Sequence, residues 1–208
     1  IIAEKVEKVL RDTFSLGGYR VFDIKFYERP EKISPDLVNF WGGYKIDFKL
    51  IEFEKESHLK DIDAVRRNAV VVGIGDRRTF NIEISKYEYC APKEPKDLDG
   101  YTIYVYTPEM IIIEKLRAIC QQMPEYSDVV SSKTRTARAK DFFDIYMLSD
   151  QFKTNLTNQE NIDLIKLIFG AKRVPIQLLF KIKDYKEYHR SDFRAVADTI
   201  RPDIKLYD

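Results

Sequence analysis

The sequence predicts an α+β protein: a mixed sheet with helices, followed by a C-terminal helical bundle. Three observations predict it. Apolar and polar residues alternate in several segments up to about residue 106, as in half-buried strands. From Pro108 onward the apolar spacing becomes three and four, as in amphipathic helices. Strands and helices are thus segregated along the chain, which is the α+β pattern. The expected division is a sheet-based domain over 1–106 and a helical domain over 107–208.

Composition bounds the function classes. The 208 residues are 44% hydrophobic and 33% charged, enough apolar material for a real core. Net charge is +1, so any binding to nucleic acid or anionic lipid must use a local patch and not a global field. Cys90 and Cys120 lie far apart without a CxxC partner, and only His58 and His189 accompany them, which argues against zinc. Free thiols of a reducing cytoplasm are expected. No apolar run approaches the roughly 20 residues of a membrane helix, so no membrane association is expected. The chain opens on Ile1 and moves at once into EKVEKVLRDTF, which reads as the middle of a domain.

The elements follow in order. Val6, Val9, Leu10 and Phe14 have helical spacing over about 2–14, and Gly17-Gly18 ends that helix. YRVFDIKFYE alternates, with Val21, Asp23, Lys25 and Tyr27 on one face and Phe22, Ile24 and Phe26 on the other. Trp41-Gly42-Gly43 is a turn, and YKIDFKLIEFE is a second strand with Ile46, Phe48 and Leu50 on its apolar face. Residues 57–70 are a polar helix or loop. GIGDRR contains GxG but leads into the strand TFNIEISKYEY. A phosphate cradle needs a helix start there, so it reads as a turn. KEPKDLDG is a polar turn and YTIYVYT a fourth strand. EMIIIEKLRAICQQM is a helix with Thr107 as N-cap and Pro108 in its first position. Further helices are expected over 135–149, 158–170, 175–187 and 190–200, with Asn158 or Ser191 as caps.

Several residues stand out chemically. Asp47 and Glu83 fall on polar strand faces, where a carboxylate is either solvated or available to a cation. Lys115 has apolar neighbours at all four helical positions, Ile111, Ile112, Ala118 and Ile119. Its stem either snorkels to water or its ammonium meets an anion. In KDFFDIY, Lys140 and Asp144 have the spacing of a helix-surface ion pair. Asp141 edges the apolar stripe of the same helix, and Lys115 is its best candidate partner. Upstream, SSKTRTARAK carries Lys133, Arg135, Arg138 and Lys140 with hydroxyls between them. It reads equally as a phosphate-binding loop and as a solvated linker.

YTPEMIIIEKLRAI followed by KDFFDIYML resembles the nucleotidyltransferase-like toxins of the AbiE abortive-infection type (AbiEii), relatives of the MenT toxins. In that family a helix carries EKL.A and a later helix carries KD..D or RD..D; NIEIS resembles the preceding sheet strand. The resemblance implies a nucleotidyltransferase-like domain joined to a helical bundle, in a bacterial toxin–antitoxin protein. It implies transfer of a nucleotide from an NTP to RNA, tRNA included, or to protein, with Mg²⁺ and an antitoxin partner. It implies Lys115 as the lysine on the triphosphate and Asp141 as the late catalytic aspartate, both lining a cleft between sheet and bundle. Lys140, Asp144, Arg138 and Arg135 would support nucleotide binding, and Glu83 and Asp47 would be metal-side acids. The family's Asp-x-Asp strand after a glycine turn has no counterpart here. SLGGYRVFDIKF offers Asp23 but then Lys25, and the DID of 61–63 lies in a helical stretch. The expectation is that the motif lies upstream of Ile1 or has been lost. In the latter case the alternative is a catalytically inactive relative that binds nucleotide, RNA or a protein partner.

Overall fold

The computed structural model describes residues 2–73, 75–131 and 134–197. It is a mixed α+β structure with small antiparallel sheets. The chain divides into two compact units, Ile1–Lys86 and Tyr87–Asp208.

The first unit is built on a three-stranded antiparallel sheet in the order β1 (Tyr19–Arg29), β2 (Gly43–Glu52), β3 (Phe80–Ser85). Helix α1 (Ile2–Leu16) covers one face: Leu10 is buried with Val21, Ile46, Phe48 and Leu50, and Val6 and Phe14 pack beside it. Val9, expected on this stripe, points to solvent. The other face carries Phe22 and Ile51, packed with Val65 and Ala69 from the region of α3 (Ile62–Asn68). The short helix α2 (Phe53–Glu56) follows β2 directly. Each of the buried Val, Leu, Ile and Phe side chains among these contributes roughly 1.5–3 kcal/mol by leaving water.

Strand β1 departs from simple alternation. The register shifts between Phe22 and Lys25, and Asp23 takes a left-handed φ of 49°. An extra residue in one strand of a ladder moves everything after it to the other face. Ile24 and Phe26 therefore pack with Val21, not with Phe22 as the plain alternation predicts. The second strand behaves as expected, with Ile46, Phe48 and Leu50 all buried. Gly43 opens it because a Cβ there would lie 2.6 Å from the Ile84 carbonyl oxygen. The DID stretch begins α3: the Asp61 carboxylate accepts from the Ala64 N–H at 2.7 Å as N-cap, and Asp63 pairs with Arg66.

The second unit begins with a separate two-stranded sheet, β4 (Glu94–Leu98) and β5 (Tyr101–Val105). The sequence reads KEPKDLDG as a turn; most of it is a strand. Asp99 and Gly100 have φ of 52° and 82°, so the turn itself is a tight two-residue hairpin, and the polar residues before it are free to pair. Helix α4 (Pro108–Cys120) starts as expected, with Thr107 Oγ1 accepting from the Met110 N–H at 3.3 Å. A 3₁₀ turn over Pro124–Asp128 follows it. Helix α5 (Ala139–Phe152) starts four residues later than the periodicity suggests: residues 134–138 are irregular, and Arg135, Thr136 and Arg138 bond to Gln122 and His189. Helix α6 (Gln159–Ala171) is capped by Asn158, whose Oδ1 accepts from the Asn161 N–H at 2.8 Å. The expected helix over 175–187 is a 3₁₀ stretch, Ile176–Tyr185, continued by α7 (Lys186–Arg190). Ser191 lies at the C-terminal end of α7 and starts no helix. The last described element is α8 (Phe193–Ala197), and the rest of the expected 190–200 helix lies outside the described residues. Helix α4 is central: α5, α6 and the 3₁₀ stretch all pack on it. Among the described residues no helix is long and apolar enough to cross a membrane.

Candidate functional site

Lys115 leaves α4 on the side that faces α5, because Ile112 and Ile119 beside it are fully buried. Asp141 and Asp144 are three residues apart on α5, so they share a helix face. Both reach the same ammonium: Lys115 Nζ donates to Asp141 Oδ1 at 3.0 Å and to Asp144 Oδ2 at 2.7 Å. Arg138, the residue before α5, donates from Nη1 to Asp141 Oδ2 at 3.0 Å. Two cations and two carboxylates thus alternate in a chain. Side-chain exposure is 22% for Lys115, 13% for Asp141 and 28% for Asp144. Burial pulls the Lys115 pKa down, but the hydrogen bonds to Asp144 and Asp141 outweigh it and hold the ammonium above the ordinary lysine value. Asp144 therefore spends its charge on Lys115 and not on the surface pair with Lys140 that the spacing suggests; Lys140 itself is exposed.

The basic stretch before α5 is structured over 134–138. Gln122, 1% exposed, accepts from the Thr136 N–H at 2.9 Å through Oε1, and its backbone carbonyl accepts from Arg135 Nε. The Arg135 guanidinium lies 4.8 Å over the Tyr188 ring. His189 Nδ1 accepts from the Arg138 backbone N–H at 3.1 Å. Lys133 lies outside the described residues. Arg135, Arg138, Asp141, Asp144 and Lys115 are thus brought into one neighbourhood.

Asp47 and Glu83 belong to the first unit. On the β2–β3 ladder Lys45 stands directly opposite Glu83, and Asp47 opposite Asn81. Lys45 Nζ lies 3.2 Å from Asp47 Oδ1, so the cation on this face is already a lysine. Asp23 on the neighbouring strand is likewise held by Arg66 at 2.8 Å and Lys49 at 3.4 Å, and the Arg66 hydrogen bond lowers its pKa. No group of three or more His, Cys, Asp or Glu side chains suited to a metal ion occurs among the described residues. Asp47 and Glu83 do not by themselves fit a divalent cation.

A second ion network, on the same helix α4, was not singled out in the sequence. Arg117 donates to Glu114, to Gln121 Oε1 at 3.0 Å and to Glu88 Oε2 at 3.4 Å. Lys172 Nζ lies 3.2 Å from Glu88 Oε1. Its signal was available at Glu114 and Arg117, two opposite charges three apart on a helix rich in isoleucine. His189 had no such signal, because nothing in its local pattern separates it from a solvated histidine. An open cleft of about 750 Å³ also occurs in this unit, lined in part by Tyr89, Thr107, Glu109, Asn161 and Leu164; it contains none of the predicted site residues.

The comparison with known families decides the relationship. The family model for the nucleotidyl transferase AbiEii toxin, type IV TA system, matches residues 2–207. The chain belongs to the AbiEii family. Neither a curated protein nor a solved structure matches it. A nucleotide substrate and an antitoxin partner go with membership of this family, and nucleotidyltransferases generally work with an NTP and a divalent metal.

Proposed function

We propose that this AbiEii-family chain binds a nucleoside triphosphate beside Lys115 and transfers its nucleotidyl group to a hydroxyl of RNA, tRNA included, or of protein, in the cytoplasm. One observation carries the reading. A lysine ammonium has three N–H donors, and Lys115 uses two of them on Asp141 and Asp144. The third is available to a phosphate oxygen, with the ammonium oriented in advance. The charges of Lys115 and Arg138 balance those of Asp141 and Asp144, while Arg135 and Lys140 add positive charge from the adjoining loop and first turn. That surplus suits a polyanion.

In the transfer, the acceptor oxygen bonds to the α-phosphorus and the α–β bridging P–O bond breaks. Pyrophosphate leaves with that electron pair, and the hydroxyl proton passes to a base. Lys115 is assigned to the triphosphate. Both oxygens of Asp141 are already engaged by cations, which favours an orienting role over proton abstraction. The metal, Mg²⁺ in the full proposal, would need ligands beyond Asp47 and Glu83. That shortage among the described residues favours one second reading, a relative that binds nucleotide without transferring it.

The test is label transfer. The chain is incubated with Mg²⁺, each α-labelled NTP and total RNA, beside its Lys115→Ala variant. Label on RNA or protein that depends on Lys115 supports transfer. No label, with triphosphate still bound, supports the binder.

A further inference from the structure

We propose that His189 is a positioning residue of this site: it fixes the backbone of Arg138, and through it the placement of Asp141 and Lys115. The proposal rests on the nucleotide reading above for its functional consequence, but its geometry stands apart from it.

His189 lies in α7, 51 residues after Arg138 in sequence, and is only 2% exposed. Its ring packs 5.2 Å from the Phe142 ring on α5 and 5.1 Å from that of Tyr188. Because Nδ1 accepts the Arg138 N–H, the proton of the neutral ring sits on Nε2. Arg138 is the last residue before α5, and its N–H has no partner within the helix. His189 supplies that partner.

The consequence propagates through three residues. With its backbone held, Arg138 presents Nη1 to Asp141 Oδ2, which leaves Oδ1 for Lys115. Tyr188 acts beside it, under the Arg135 guanidinium. Gln122 holds Arg135 and Thr136 through its own carbonyl groups. The basic stretch is therefore held by α7 as well as by Gln122, which no spacing in its own sequence requires.

Only a neutral imidazole can do this, since a protonated ring would aim an N–H at an N–H. Burial, then the charges of Arg135 and Arg138, lower the His189 pKa, with Asp141 opposing them.

The test compares His189→Phe with His189→Asn. Phe keeps a ring for Phe142 but has no acceptor; Asn offers an acceptor near the Nδ1 position. Two quantities are read on the full chain: hydrogen exchange at the Arg138 amide, and affinity for ATP, GTP, CTP and UTP. Phe should speed exchange at Arg138 selectively and weaken triphosphate binding by about 10-fold, and Asn should restore most of both. Equal losses in the two variants, or an Arg138 amide that stays protected in the Phe variant, would overturn the proposal. If the unsubstituted chain binds no triphosphate, the nucleotide reading falls, and the positioning role is judged by Arg138 exchange alone. If the Phe variant does not fold, the unsubstituted chain supplies the readout. Acidification must then unprotect Arg138 ahead of the α5 amides; loss at Arg138 uniform with that across α5 overturns the role.

Discussion

Helix α4 carries two ion networks, and they differ in what surrounds them. Both contain two cations and two carboxylates: Lys115 and Arg138 with Asp141 and Asp144, and Arg117 and Lys172 with Glu88 and Glu114. The second is the more buried, with side-chain exposure of 10% for Arg117 and 4% for Lys172 against 22% for Lys115 and 37% for Arg138. Arg117 is spread over Glu114, Gln121 and Glu88. Even so, Glu114 Oε1 is buried without a hydrogen bond. Burial raises the Glu114 pKa against the pull of Arg117, and burial lowers the Lys172 pKa against the pull of Glu88. A buried network of this kind is costly to break and offers a ligand no access. The Lys115 network is only partly buried. Charge balance alone therefore does not distinguish the two networks; their exposure does.

The contrast can be broken by substitution, beginning with the largest effect. Arg117→Ala leaves Glu114 and Glu88 with lost partners in the interior and should destabilise the fold by about 3–5 kcal/mol, read by urea unfolding. Asp141→Ala should cost less, about 2 kcal/mol, because Asp144 still holds Lys115 and the site is partly solvated. If the two costs are equal in a thermal or urea melt, the distinction between the networks fails.

The His189 linkage is smaller and has a definite sign. Its folded pKa lies below the ordinary 6.5, so as pH falls through that value the unfolded chain takes up a proton before the folded one does. Stability contributed by neutral His189 is complete above pH 6.5 and declines below it until the folded pKa is passed. His189→Phe should flatten that part of a stability–pH curve relative to the unsubstituted chain. An unchanged slope would mean that His189 is not held neutral. Lys140→Ala is the smallest case for stability, within about 0.5 kcal/mol, since the residue is exposed. It should still weaken triphosphate binding a few-fold if Lys140 adds to the field of the site, which an anisotropy titration can read.

The sequence made part of this legible. Thr107 and Pro108 mark the start of α4, and the four apolar neighbours of Lys115 single it out as a lysine that either snorkels or meets an anion. Asp141, at the edge of the apolar stripe, is that anion in the structure. These signals are local, because helix spacing and capping depend on neighbours in the chain. What stayed hidden depends on distant residues. His189 reaches Arg138 across 51 positions, and Lys172 reaches Glu88 across the same unit. Strand β1 failed for a different reason: a single left-handed residue, Asp23, reverses the alternation on which face assignment relies. Strand β4 failed because composition is a poor guide to pairing when a tight Asp-Gly turn brings polar residues against a partner strand. Residues 134–138 have the composition of a solvated linker, and their order comes from Gln122, Tyr188 and His189.

The central claim is that Lys115, oriented by Asp141 and Asp144, holds a nucleoside triphosphate. The most direct measurement titrates a fluorescent triphosphate against the unsubstituted chain and against Lys115→Met, each checked for folding by circular dichroism. Saturable binding is expected, weakened by at least about 10-fold in Lys115→Met through loss of a charge-assisted phosphate contact. A folded Lys115→Met chain that binds the triphosphate as tightly as the unsubstituted one would contradict it.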